Sequence, residues 1–417
     1  MAACYVGEGL DDRPASFELF ARRLPEGFGY AIAMGLAQVI DYLEKLRFSE
    51  AQIQALQSTG IFAGARFTGD VWAVPEGTAV FANEPLLRIE APLWQAQLVE
   101  TYLLNAINYQ TLIATRAARL RDVAGPEAKL LEFGTRRAFG PQAAVWAARA
   151  ALAAGIDGTS NVLAALKLGR KPVGTIAHAL VMAVSALEGS EDEAFAAFHR
   201  YFPGAPLLID TYDTVAAART LASRVNSGEM PLEGVRLDSG DLVKLSREVR
   251  SILPGVPIIA SGDLDEHEIA RLKSAGASID GYGLGTKLVS GSPINGVYKL
   301  VEIDGMPVMK EASGKVTYPG KKQIFRTMKD GEIIGDCLGL AADNIYNSDD
   351  HLPLMQLVVK DGKRLHEPES LEDIAKRTAA SVASLPAETR QLNNPISPPM
   401  EISTDLQTLT QKTKKSH

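Results

Sequence analysis

Polar turns that each follow a short apolar run hold nearly all the reactive side chains of this 417-residue sequence. In order they are Glu132-Phe133-Gly134-Thr135-Arg136-Arg137, Asp157-Gly158-Thr159-Ser160-Asn161, Gly174-Thr175-Ile176-Ala177-His178, Asp210-Thr211-Tyr212-Asp213, Asp238-Ser239-Gly240-Asp241, Ser261-Gly262-Asp263 and Gly283-Leu284-Gly285-Thr286. Gly262-Asp263 and Gly285-Thr286 suit an anion cradle, because glycine lets backbone N–H groups approach a phosphate and a following helix start adds positive potential. Ordinary turn chemistry explains the same glycines taken singly. The carboxylates of Asp210, Asp213, Asp238 and Asp241 can hold Mg²⁺ through a polyphosphate, or they can cap helices. His178 is the one histidine of six that falls in such a turn. It can act as a catalytic group or as a hydrogen-bonded structural residue. Arg136, Arg137 and Arg236 supply local positive charge for a small anionic substrate.

An arrangement must gather these turns. Seven apolar runs, each followed by a turn and a helix-like stretch, fill residues 130–287, which is the repeating unit of a β/α barrel that collects post-strand residues at one mouth. Asp241, Asp263 and Gly285 recur at intervals of 22 residues, with helical patterns at 242–253 and 265–275. Residues 1–115 mix helix and strand: a helix at 30–46, strands within 67–89 and a long helix at 92–118. The barrel spans 116–290, and 291–385 carries strands at 298–303, 306–310 and 315–316 that return to the N-terminal domain. A loosely ordered tail is expected at 386–417, where Asn393-Asn394-Pro395 and Pro398-Pro399 interrupt any pattern. The fold class is α/β, an irregular, incomplete barrel plus an α/β sandwich built from the N- and C-terminal segments.

A net charge of −7 argues against broad nucleic-acid binding, which favours a basic surface. No uninterrupted apolar run reaches the ~18 residues of a membrane span. Two cysteines with no CxxC spacing, and no leader-like start, make the cytoplasm the expected compartment. Gly281-Tyr282-Gly283-Leu284-Gly285 lacks the dinucleotide spacing, and 314–321 is one residue too long for a P-loop. No HExxH and no cysteine–histidine cluster offers a transition-metal site.

Several of these segments together resemble the nicotinate phosphoribosyltransferase family: Glu132-Phe133-Gly134-Thr135-Arg136-Arg137, Gly158-Thr159-Ser160-Asn161-Val162-Leu163-Ala164, Gly174-Thr175-Ile176-Ala177-His178 and Leu237-Asp238-Ser239-Gly240-Asp241-Leu242. Phe67-Thr68-Gly69-Asp70-Val71, Gln97-Leu98-Val99-Glu100-Thr101 and Pro319-Gly320-Lys321-Lys322-Gln323 extend the likeness over about residues 16–340. The resemblance implies a type II phosphoribosyltransferase fold in a homodimer with shared active sites. It implies ATP-driven glycosyl transfer that joins nicotinate to 5-phosphoribosyl 1-pyrophosphate, giving nicotinate mononucleotide and pyrophosphate in NAD biosynthesis, with Mg²⁺ as cofactor.

By the same resemblance, ATP phosphorylates His178, and Thr175 and Arg236 contact nicotinate. Phe133 packs on the pyridine ring with Arg136 close by, and Asp238 holds the ribose hydroxyls. Gly262, Asp263, Gly285 and Thr286 hold the phosphoribosyl group; the resemblance assigns no metal site, and Asp210, Asp213 and Asp241 stay candidates, from their chemistry alone, to act on Mg²⁺ indirectly through pyrophosphate. Ser160 stands where the nicotinamide relative carries an aspartate, whose charge would repel a nicotinate carboxylate. Relatives carry a Thr-Asp-xx-Tyr segment ahead of the counterpart of Met1-Ala2-Ala3, with its tyrosine stacking on nicotinate from the neighbouring subunit; a chain shortened at its start, and also in the 60–67 stretch, is the expectation. The rival readings are the same transfer to nicotinamide or quinolinate, and a noncatalytic nucleotide-binding paralogue.

Overall fold

The computed structural model describes residues 1–55, 65–311, 317–343 and 351–415. The strand expected at 315–316, most of the 60–67 stretch and the start of the 314–321 run lie outside them. The chain divides into two units, Met1–Thr115 with Ser292–His417, and Arg116–Gly291.

The second unit is built on parallel strands. Six of them lie in the order Gly158–Thr159, Lys129–Glu132, Gly281–Leu284, Ile258–Ser261, Val235–Leu237 and Leu207–Leu208. Every neighbouring pair is parallel. Strands covered on both faces read as near-continuous apolar runs, which is why Ile258–Ser261 and Gly281–Leu284 are buried throughout. The two edge strands do not pair, so the barrel is open.

Seven strands were expected and six form; the run before Gly174 is the one that does not. Val173 N donates to Thr159 O at 2.9 Å and so stays beside the edge strand. Pro172, however, has no N–H and cannot extend a ladder. Helices occupy the gap in sequence instead. His178–Glu188 and Glu191–Tyr201 bury Val181 and Phe195 in one apolar cluster with Leu207, Leu208, Val235 and Ile258.

The helices after the strands begin at side-chain caps. Asn161 accepts from Ala164 N, Asp213 from Val215 N and Ala216 N, Asp241 from Val243 N and Lys244 N, and Asp265 from Glu268 N. Helix Leu242–Ile252 and helix Glu266–Ser274 fall within a residue of their expected bounds.

In the first unit, an antiparallel seven-stranded sheet runs Met306–Pro307, Gly296–Ile303, Pro14–Ala21, Pro85–Pro92, Asp70–Ala73, Gln356–Lys360 and Lys363–Arg364. A four-stranded sheet runs His351–Pro353, Lys322–Lys329, Glu332–Leu340 and Met400–Ile402. The helix expected at 30–46 is shorter, Leu36–Glu44, preceded by the buried strand Ala31–Ile32. Gly35 makes the break: its φ is 105°, a Cβ there would sit 2.7 Å from Ala106 O, and Glu76 accepts its N–H in place of a capping side chain. The long helix is two, Leu93–Leu98 and Glu100–Ala124, the second ending at Gly125 with φ 91°. The strand expected at 306–310 closes after Pro307.

The tail at 386–417 also departs from expectation. Met400–Ile402 pairs in parallel with Asp336–Leu338, and helix Thr404–Lys415 buries Leu406, Thr410 and Thr413. A three-residue strand and a helix seated on threonines leave too little apolar periodicity to read.

Candidate active site

The C-terminal ends of the parallel strands place the turns together. Arg236, on strand Val235–Leu237, is the hub. Its Nε donates to Ser261 Oγ at 2.7 Å, Nη1 to Thr175 Oγ1 at 2.9 Å and Nη2 to Asp238 Oδ1 at 2.6 Å. The guanidinium carbon also lies 5.5 Å from the centroid of the Phe133 ring, within cation–π range. Arg236 therefore joins four turns.

Phe133 is fixed from below. Its N–H donates to Leu284 O at 2.7 Å, and its ring lies over Gly283, where a Cβ would come within 2.8 Å of two ring carbons. Glycine at that strand position is what leaves room for the aromatic ring.

Asp238 gathers Ser261 Oγ–H and Arg236 on one oxygen. Burial raises its pKa, but the hydrogen bonds from Ser261 and Arg236, with the charge of Arg236 and then of His178, outweigh burial and hold the carboxyl below its usual value. Asp238 N donates to Asp210 Oδ2 at 2.9 Å, and Ser239 Oγ donates to the same oxygen at 2.7 Å. Gly262 has φ 97°, and a Cβ there would stand 2.5 Å from Asp238 O, so the Ser261-Gly262-Asp263 turn closes onto the Asp238 turn only with glycine. Asp263 follows with φ 42°, which aspartate tolerates better than most residues.

His178 is the first residue of its helix, where backbone N–H groups face outward. Its Nδ1 is 3.0 Å from Thr211 Oγ1, and its Nε2 is 3.9 Å from Asp210 Oδ1. The Asp210 side chain is 3% exposed, yet Oδ1 takes no hydrogen bond from the protein. Glu191 adds to this negative pocket. Burial first, then Asp210 and Asp213, push its carboxyl up to about 7.

Gly285 precedes helix Thr286–Val289, and Thr286 is its first residue. Ser160 N donates to Glu132 O at 2.9 Å, which carries Ser160 to the end of the strand that leads into Phe133. Arg136 lies in the short turn Thr135–Arg137 and is exposed. Asp213 and Asp241 each commit Oδ1 to a helix cap, the plainer of their two readings. Among the described residues no three metal-ligating side chains converge as a metal cage. The oxygens on offer suit a hard ion that arrives on a polyphosphate, and the unsatisfied Asp210 Oδ1 fits that role.

Sequence reasoning brought Phe133, Thr175, Arg236, Asp238, Gly262 and His178 to one mouth, and the structure connects all six. It gave no role to Ser261 as the partner of both Arg236 and Asp238, nor to Thr211 beside His178, nor to Glu191 near Asp210 and Asp213. Ser261 carried a signal, because a serine ending an apolar strand beside an Arg-x-Asp strand has few other partners. Glu191 carried none.

Family models and curated relatives point to one family. A model of the nicotinate phosphoribosyltransferase N-terminal domain matches residues 1–108, the family model matches 128–323, and a C-terminal domain model matches 344–410. A nicotinate phosphoribosyltransferase of Mycobacterium tuberculosis is 42% identical over 415 residues, 94% of this chain and 87% of its own. One from Bacillus subtilis is 41% identical over 390 residues, covering 88% and 76%. The crystal structure of human nicotinic acid phosphoribosyltransferase matches with a TM-score of 0.85 at 30% identity, over 99% of this chain and 98% of that one.

Proposed function

Because this chain belongs to the nicotinate phosphoribosyltransferase family, we propose that its mouth joins nicotinate to 5-phosphoribosyl 1-pyrophosphate, with ATP spent on His178. The observation that carries this reading is the position of Arg236, which touches Thr175 and Asp238 and faces the Phe133 ring from the same strand end. A pyridine ring on Phe133 brings a carboxylate within reach of a guanidinium, whose planar fork binds carboxylates better than an ammonium does. Ser160 leaves that carboxylate unopposed, and this disfavours nicotinamide as the substrate.

The reaction is displacement at the ribose C1 carbon. The pyridine nitrogen forms the new C–N bond as the C–O bond to pyrophosphate breaks, and positive charge builds on the sugar. Asp238, held ionised by Arg236 and Ser261, accepts from the ribose hydroxyls and faces that charge. Backbone N–H groups at Gly262, Asp263, Gly285 and Thr286 receive the 5′-phosphate. Mg²⁺, when bound with pyrophosphate, supplies charge neutralisation of the leaving group. Asp210, and beyond their caps Asp213 and Asp241, would hold it through pyrophosphate and water. Thr211 holds the His178 imidazole with the Asp210 carboxylate 3.9 Å from Nε2, and the helix start beneath it favours an added phosphoryl group.

Among the described residues no helix is long and apolar enough to cross a membrane. A cytoplasmic homodimer with shared active sites completes the reading. The test is incubation with nicotinate, 5-phosphoribosyl 1-pyrophosphate, Mg²⁺ and ATP. Formation of nicotinate mononucleotide with acid-labile phosphate on the protein supports the reading; ligand binding without turnover supports a noncatalytic paralogue instead.

A further inference from the structure

Glu132 ends its strand almost completely buried, 1% exposed, and among the described residues no lysine, arginine or histidine pairs with it. Its two carboxylate oxygens are divided between two turns. Oε1 accepts the N–H of Gly134, and Oε2 accepts the hydroxyl of Thr159, itself 1% exposed. The Thr159 oxygen in turn accepts Asn161 N at 2.9 Å, and Glu132 O accepts Ser160 N at 2.9 Å. Asn161 then caps helix Val162–Lys167.

A buried carboxylate without a counter-charge is costly, and an apolar side chain would fill that place at less expense. Burial raises the pKa of Glu132, and the hydrogen bonds from Thr159 and Gly134 oppose it without cancelling it. What only a carboxylate supplies is two acceptors on one rigid plane. Gly134 N–H follows Phe133 directly, and Thr159 precedes Ser160 directly. The two turns that the family reading gives to the pyridine ring and to its specificity meet on this single group. Gly134 is also fixed from its other side, since a Cβ there would collide with the Val289 side chain.

We propose that Glu132, acting through Thr159, is a positioning residue for nicotinate: it sets the spacing between the Phe133 ring and Ser160 and so the width of the slot for the pyridine acid. The proposal rests on the nicotinate reading of the site. The Glu132 carboxylate bonds to Gly134 and Thr159 and to no group of the Gly262 and Thr286 turns or of the Arg236 hub, so its effect falls on one substrate and not on the other.

The experiment measures steady-state kinetics of the full chain for both substrates in Thr159→Val, Thr159→Ser, Glu132→Gln and Glu132→Ala, with thermal unfolding alongside. Displacing a substrate by about 1 Å can cost on the order of 10²-fold. Thr159→Val and Glu132→Ala are expected to raise the KM for nicotinate about 10- to 100-fold. The KM for 5-phosphoribosyl 1-pyrophosphate should stay within about twofold, and Thr159→Ser should restore the wild-type value. Should Glu132→Ala fail to fold, Thr159→Val and the near-isosteric Glu132→Gln decide. A nicotinate KM within about twofold of wild type in folded Thr159→Val and in the folded Glu132 variants overturns the proposal, and so does an equal rise for both substrates. A wild-type chain that never consumes nicotinate instead sinks the reading on which the proposal stands.

Discussion

Arg236, on strand Val235–Leu237, and Asp238, the first residue past its end, meet in a 2.6 Å ion pair. The pair is directional. Asp238 takes Nη2 of the guanidinium, Ser261 takes Nε and Thr175 takes Nη1. The base of the fork is thereby fixed, and its plane is set before any substrate arrives. That preorganisation is the reason to expect strong dependence on arginine itself.

Arg236→Lys should therefore fail nearly as badly as Arg236→Ala. A lysine can meet one of the three partners but cannot hold the plane. We expect kcat/KM for nicotinate to fall about 10²-fold or more in both, since hydrogen bonds to charged groups contribute about 1.5–3 kcal/mol each. Full activity in the lysine variant would mean that charge alone suffices.

His178→Ala should abolish acid-labile phosphate on the protein and remove ATP stimulation while leaving a slower, ATP-independent transfer. Asp210→Asn should keep the fold, because the amide oxygen can still accept from Asp238 N and Ser239 Oγ. It removes the charge 3.9 Å from His178 Nε2, so phosphorylation should slow by about tenfold. Labelling with γ-³²P ATP reads both. Unchanged labelling in Asp210→Asn would leave Asp210 as a purely structural tie between turns.

Ser160→Asp bears on the choice between acid and amide. An added carboxylate at that turn repels the carboxylate of nicotinate and can accept from an amide, so the ratio of nicotinate to nicotinamide turnover should fall at least tenfold. A ratio that does not move would remove Ser160 from specificity.

Much of this site was legible because its parts are local. A strand, a Gly- or Asp-bearing turn and a helix cap each announce themselves within a few residues, as at Leu237-Asp238-Ser239-Gly240-Asp241-Leu242. What stayed hidden depends on contacts across the chain. Glu191 acquires its character from Asp210 and Asp213, on a different element. Ser261 matters only because strand pairing puts Ala260 beside Leu237, with Arg236 next along the same strand. Pro172 was visible in the sequence, yet the run around it was read as a strand on its apolar neighbour alone. Gly35 delays the start of a helix because Ala106 O, distant in the sequence, fills the space a side chain would need.

In the first unit, Glu84 offers a pH test. It is fully buried beside Asp336, which Arg326 grips through Nε at 3.0 Å and Nη2 at 2.7 Å. Burial, then the charge of Asp336, pushes the Glu84 carboxyl well above its ordinary value, and Arg326 only partly opposes the shift. One guanidinium and two carboxyls are neutral together only if one carboxyl keeps its proton. With the folded pKa above the unfolded one, the folded chain binds more protons, so the stability held by this group is complete below about pH 4.5. As pH rises from there toward the folded pKa, stability falls by up to about 1.4 kcal/mol per unit. Glu84→Gln keeps an acceptor for Phe81 N, which now donates to Glu84 Oε2 at 2.8 Å, and has no proton to lose. The variant should unfold at a higher temperature than wild type at pH 8, with the difference shrinking steadily toward pH 4.5. Parallel melting curves across that range would show that Glu84 is ionised in the fold and that the cluster carries a net negative charge.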